Sequence, residues 1–160
     1  MPEIAKTEEI VKRVLAGMQS RPAKISLSQA KIIAEAVEQE AARVGVKAVV
    51  AISDGAGRPV LIHCTDGAFM GSFDVALNKT YTAVAFQMST EALGKLAQPG
   101  ESLYGIQFTN EGKIVIFGGG EPIYAHGELV GAIGVSGGTA EQDTGLGAFG
   151  KSFAEHLLNE

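Results

Sequence analysis

The chain has 160 residues, is 46% hydrophobic and only 19% charged, and carries a net charge of −5. No run of bases exceeds Lys12-Arg13, which argues against nucleic acid or an anionic membrane as partner. No apolar run approaches the ~18 residues of a membrane span, and the low charge fraction suits a surface partly covered by self-association.

The N-terminal MPEIAKTEEIVKRVL mixes acids with bases and lacks an apolar segment, so it does not read as a secretory signal. A single cysteine, Cys64, leaves no internal disulfide, and the expected compartment is a reducing cytoplasm. The length suits one domain over 1–160. Residues 7–19 are expected to form an amphipathic helix capped by Thr7, with Val11, Val14, Leu15 and Met18 on one face. Ser28 is the expected cap of a second helix over 29–44, in which Ile33, Val37, Ala41 and Val44 recur at helical spacing and Gly45 stands at the C′ position.

Val46 to Ser53 is an apolar run too continuous for a half-exposed strand. The turn Asp54-Gly-Ala-Gly57 leads into a second strand, Pro59 to His63, and Asp66-Gly67 marks the next turn. A helix over 72–87 follows, with Phe73, Leu77, Tyr81, Val84 and Met88 as its expected core stripe. A shorter helix over 90–97 stops at Pro99-Gly100. Residues 103–108 form a weak strand pattern and Lys113 to Phe117 a clear one, separated by the turn Asn110-Glu-Gly112.

The stretch Gly118 to Asp143 holds eight of the 21 glycines. It reads as a glycine turn, a strand over 122–125, the two-residue turn His126-Gly127, a buried strand over 129–135, and a second glycine turn. Thr139 with Gln142 is a capping-box signature for the last helix, whose apolar face is Leu146, Phe149, Phe153 and Leu157. Hairpins join most strands and no β-α-β-α alternation is present. The expected fold is therefore α+β, with a mainly antiparallel sheet.

Three motif matches lack the context that would give them meaning. Gly145 to Ser152 fits the P-loop pattern, and Gly145, Gly147 and Gly150 fit G-x-G-x-x-G. Neither follows a strand directly, and too little chain follows to complete either site. Gly134-Val-Ser136-Gly-Gly138 fits a nucleophile elbow, but Asp143 and His156 share one helix and no parallel sheet is available to hold a triad.

The soft-ligand candidates are few. His63 and Cys64 end a strand and are the most metal-ligand-like pair, although strand alternation places them on opposite faces unless a bulge intervenes. His126 sits in a hairpin turn, and His156 near the C-terminus. No closed zinc site can be assembled. The backbone at Ser136, Gly137 and Gly138, leading into a Thr139-capped helix, is a candidate anion site for a carboxylate, a phosphate or a cofactor propionate. The alternative for that backbone is a simple capped turn.

An ordered set of residues carries a family resemblance. It comprises Asp54-Gly-x-Gly57, Asp66-Gly-Ala68, Ser72-x-x-Val-Ala-x-x-Lys79-x-x-Thr-Ala83, Gly118-Gly-Gly-x-Pro-Ile123 and Gly131-x-Ile-Gly-Val-Ser-Gly-Gly138 followed by Asp143. Over residues ~25–155 the chain resembles the GlcG/HbpS family, which includes the C-terminal domain of PduO-type cobalamin adenosyltransferases. The N-terminal helix, within 1–22, lies outside the resemblance. The resemblance implies about five antiparallel strands between helices in a three-layer α/β/α arrangement, and homo-oligomers from dimers to octamers. It also implies a ligand such as haem or a corrinoid in some members, with links to glycolate or diol/glycerol utilisation. Where many members carry an Arg-hydrophobic-Asp-Gly-Ala string, this chain has Cys64-Thr-Asp-Gly-Ala68. A cation is lost and a thiol gained, which turns attention to Cys64 and His63.

The reading is of an accessory oligomer that binds haem, a corrinoid or a related small molecule through His63, Cys64, His126 and the 136–139 turn. One alternative is an enzyme acting on a small anionic metabolite, with Asp54, Asp66 or Asp143 as acid/base. Another is a structural assembly partner without a ligand.

Overall fold

In the computed structural model, the described residues are 7–12 and 24–160. Residues 7–12 are helical, and the remainder of the helix expected over 7–19 lies outside the described residues. The elements in chain order are α1 (Leu27–Arg43), β1 (Val49–Asp54), β2 (Pro59–Cys64), α2 (Ser72–Phe86), α3 (Thr90–Leu96), β3 (Gly120–Ala125), β4 (Glu128–Ser136) and α4 (Ala140–Asn159).

The four strands form one antiparallel sheet in the order β2-β1-β4-β3. Helices α1 and α4 cover one face, where Ile33, Val37, Val50, Ile52, Ile133, Val135 and Leu146 make the main core. Helix α2 covers the other face, over Val49 and Ala51. All six residues of β1 are consequently buried, which is why its sequence reads as a continuous apolar run.

The expected antiparallel α+β architecture holds, with four strands rather than about five. Residues 103–108 and 113–117 are not strands. The first ends in a 3-10 turn at Ile106–Phe108, and Asn110, Glu111 and Gly112 then run through three consecutive left-handed conformations. The second run has its polar groups taken by helices. The Val115 amide donates to Thr82 Oγ1 at 3.0 Å, and the Ile116 carbonyl lies where a Cβ on Gly94 would stand.

Two further expectations are corrected. Helix α1 is capped by Ser26, not Ser28, through a reciprocal box with Gln29, so it starts two residues earlier. The apolar stripe of α2 is not its buried face. The buried positions are Ser72, Ala76, Lys79, Thr80, Thr82 and Ala83, whereas Phe73 is exposed and Leu77, Tyr81, Val84 and Met88 are half-exposed. The cause lies in the sheet. Gly134 and Gly120 are paired across β4 and β3, and a Cβ on Gly134 would stand 2.1 Å from the Ala76 carbonyl oxygen. A helix this close to the sheet turns small residues inward apart from Lys79, and its large apolar side chains face out.

Candidate functional site

Strand β2 is an edge of the sheet, and His63 and Cys64 are its last residues. His63 pairs with Val50 and Cys64 with Val49. Val50 belongs to the α1/α4 core and Val49 to the α2 core, so the two side chains leave opposite faces of the strand. The irregularity in this ladder lies at Ile52/Ser53 and does not bring them together. The exposed Cys64 thiol is free.

His63 has a partner that spacing could not reveal. Its Nδ1 lies 2.5 Å from Oε1 of Glu38 on α1, twenty-five positions earlier in the chain. The imidazole is one-third exposed. Among the described residues its Nε2 has no hydrogen-bond partner, and in the tautomer that carries its proton on Nδ1 that nitrogen presents a lone pair to a ligand. Glu38, Ile62, His63, Cys64 and Thr65 line a shallow open cavity of about 250 Å³. Among the described residues, no group of three or more His, Cys, Asp or Glu side chains converges on one point.

The glycine turn before α4 is arranged differently. Thr139 and Gln142 form the expected capping box, with the Thr139 amide donating to Gln142 Oε1 at 2.9 Å. The Gly138 amide donates to Asp143 Oδ1, also at 2.9 Å. Two of the amides expected to greet an external anion are therefore engaged by the chain's own side chains. Gly137 has a φ of +146°, and a Cβ there would meet the Lys47 carbonyl at 2.3 Å. Ser136 is buried and its hydroxyl shares a 3.1 Å hydrogen bond with Ser72.

Asp143 uses its other oxygen on Lys79. Lys79 Nζ donates to Asp143 Oδ2 at 2.9 Å and to the Val135 carbonyl at 2.7 Å, and lies 4.8 Å from the centre of the Phe117 ring. Both charged side chains are buried, Lys79 completely. Burial pushes the Lys79 ammonium below its ordinary pKa, and the hydrogen bond and charge of Asp143 pull it partly back. This pair had a faint trace in the sequence. Lys79 falls at helical spacing on the small-residue face Ser72, Ala76 and Ala83, where a lysine is anomalous.

The remaining candidates are separate. His126 occupies the hairpin turn with φ +50°, followed by Gly127 at +80°, and its exposed side chain leaves the fold. Positive φ at both central residues is the type I′ geometry that suits twisted strands. Its amide donates to Asn159 Oδ1 at the end of α4. Asp54 Oδ1 accepts from the amides of Ala56 and Arg58 and so shapes the β1–β2 turn. Asp66 is exposed. Gly145 to Ser152 lie inside α4, where a Cβ on Gly147 or Gly150 would strike Gly119 or Ile133; these two glycines serve close packing. A cavity of about 540 Å³ opens between α3, residues 116–118 and the start of α4, with Phe117 and Glu141 in its wall.

The chain as a whole has relatives among known proteins. An uncharacterized 15.0 kDa protein from the dhaT-dhaS intergenic region of Citrobacter freundii is 47% identical over 121 residues, covering 76% of this chain and 85% of that one. The corrinoid adenosyltransferase PduO of Salmonella typhimurium is 35% identical over 141 residues; the match covers 84% of this chain and 42% of PduO. The crystal structure of the PduOC:heme complex superposes with a TM-score of 0.78 at 32% identity, covering 81% of this chain and 94% of that one. Residues 25–150 match the family model of the haem degrading protein HbpS-like family. The fold, the ordered glycine and aspartate motifs and these matches agree, and the chain belongs to the HbpS-like family.

Proposed function

We propose that this protein is an accessory, self-assembling binder of a haem-type tetrapyrrole, tied to glycolate or diol/glycerol utilisation. The observation that carries the reading is the Glu38–His63 contact. A histidine that ligates a metal usually gives its second nitrogen to a carboxylate, a backbone carbonyl or water, which fixes the ring and raises its basicity. Here Glu38 holds Nδ1 at 2.5 Å and leaves Nε2 at the open edge of the sheet. The donor set fits a haem iron, for which a single imidazole is a sufficient protein ligand. A macrocycle would exceed the ~250 Å³ cavity and lie against the β2 edge, largely outside it. The haem complex of the related PduOC chain supports this reading, and the dhaT-dhaS relative supports the metabolic link.

Titration of the purified protein with haemin, followed at the Soret band, tests it. The expected result is a saturable shift that His63→Ala abolishes, that Glu38→Gln weakens by about 10-fold or more, and that His126→Ala leaves unchanged. Cys64→Ala separates a thiolate contribution from that of the imidazole. Aquocobalamin titrated in parallel distinguishes a corrinoid site from a haem site. A shift indifferent to His63, or none at all, refutes the assignment.

A further inference from the structure

The cavity of about 540 Å³ between α3, residues 116–118 and the start of α4 shares no residue with the one at His63. We propose that it is a second small-molecule site, and that it takes a flat, uncharged nitrogen heterocycle with adjacent N–H donors, of the purine or pteridine kind. Its volume falls within the ~300–1,000 Å³ of small-molecule sites.

The first reason is a glycine that packing does not explain. Helix α4 holds Gly145, Gly147 and Gly150, and each weakens it relative to alanine. A Cβ on Gly147 would stand 2.8 Å from the Gly119 carbonyl oxygen, and one on Gly150 would stand 2.5 Å from Ile133 Cδ1, so these two let the helix approach its neighbours. A Cβ on Gly145 would meet no atom within 4 Å, and its backbone is helical. Neither packing nor conformation calls for glycine there. Gly145 lines the cavity, so the space that its missing side chain keeps clear is the cavity itself.

The second reason is the ring in the wall. Phe117 is 46% exposed and lines the cavity beside Ile116. The fully buried Lys79 Nζ lies over this ring, 4.8 Å from its centre, so a cation already holds the inner face. A second cation on the outer face would be repelled through the ring. A flat, neutral π-system stacks there without that penalty.

The third reason is the balance of polar groups. The side-chain donors of the wall are engaged by the protein. Thr144 Oγ1 donates to the Ala140 carbonyl at 2.7 Å, Gln98 Nε2 donates to the Gly94 carbonyl at 2.8 Å, and Lys95 pairs with Glu91 at 3.2 Å. Glu141, exposed in the first turn of α4, has no partner among the described residues. An ionised carboxylate only accepts, and its two oxygens match two neighbouring N–H groups. A wall with a free acceptor and no free donor selects a ligand that donates. The same carboxylate turns away phosphates and other carboxylates, so a free base or nucleoside fits where a nucleotide does not.

Pterin is the probe, since it fluoresces, is neutral at pH 7 and carries an amino group beside a ring N–H. Titrating it with the full chain should give a saturable quench. Gly145→Leu, which puts a side chain into the cavity, should weaken binding about 10-fold or more, without lowering the melting temperature. Glu141→Gln, which keeps the size and removes the charge, should weaken it about 10-fold. Lumazine, the same bicycle with an oxo group in place of the amino group, should bind less tightly than pterin. Absence of a saturable quench overturns the proposal. A quench that Gly145→Leu leaves unchanged puts the ligand elsewhere and overturns the site. Lumazine binding as tightly as pterin, or Glu141→Gln binding as wild type, overturns the ligand class. None of these readouts depends on haem or on His63.

Discussion

Lys79 brings a positive charge into a fully buried site, where Asp143, the Val135 carbonyl and the Phe117 ring receive it. Removing one member of such a pair strands the other, at a cost of about 3–5 kcal/mol. Asp143→Asn is therefore expected to lower unfolding free energy by about that amount in urea titrations. Replacing both partners with apolar residues of similar volume should cost much less. Glu121 offers a test by pH. Desolvation raises its pKa above the ordinary value despite Lys151 at 3.8 Å, and Glu91 and Glu155 add to the rise. The neutral acid is the form that the fold favours, so its contribution is complete at low pH and is lost as pH climbs through the folded pKa. Glu121→Gln should therefore melt higher than wild type at pH 7, with the difference closing as the pH falls to about 4. At this scale the sequence exposed His63 and Cys64 as candidates but not Glu38, the partner of His63. The contact between Glu38 and His63 depends on how α1 lies across β2, which no local pattern encodes.

The elements were legible wherever local chemistry determines them. The Thr139–Gln142 box, the His126-Gly127 turn and the buried β1 follow from residue type and spacing. Other readings failed, and for residues 113–117 and the α2 stripe the cause is a tertiary contact that overrode the pattern. Residues 113–117 have strand composition, but Thr82 takes the Val115 amide and the run never reaches the sheet. Ser26 and Ser28 are both plausible caps, and Gln29 decides between them by completing the box with Ser26. The stripe on α2 is a true helical periodicity assigned to the wrong side, since apolar spacing says that a face is buried but not by what. The glycine contact that turns the helix is directly testable. Gly134→Ala would drive a methyl group into the Ala76 carbonyl, and overpacking of this kind costs about 1–3 kcal/mol. Gly145→Ala, where no atom lies within 4 Å, should be neutral or slightly stabilising in the same melting experiment.

For the whole molecule, the two sides of the sheet differ in surface chemistry. The α1 side carries the charged surface and the Glu38–His63 contact, while the helix on the other side has only Asp74 and the buried Lys79 as charges. One further consequence follows from the β3–β4 hairpin. Ile25, at the start of the family-matched region, packs against Gly131 of β4, and Asn159, at the end of α4, accepts from the His126 amide at the tip of the same hairpin. Ile25 and Asn159, near the two ends of residues 24–160, thus meet one short ribbon, about 17 Å apart along the strand. Such a unit can be cut and rejoined. A circular permutant that links residue 160 to residue 24 through a few glycines, and opens at the exposed Pro99-Gly100 turn, should refold with the same sheet order.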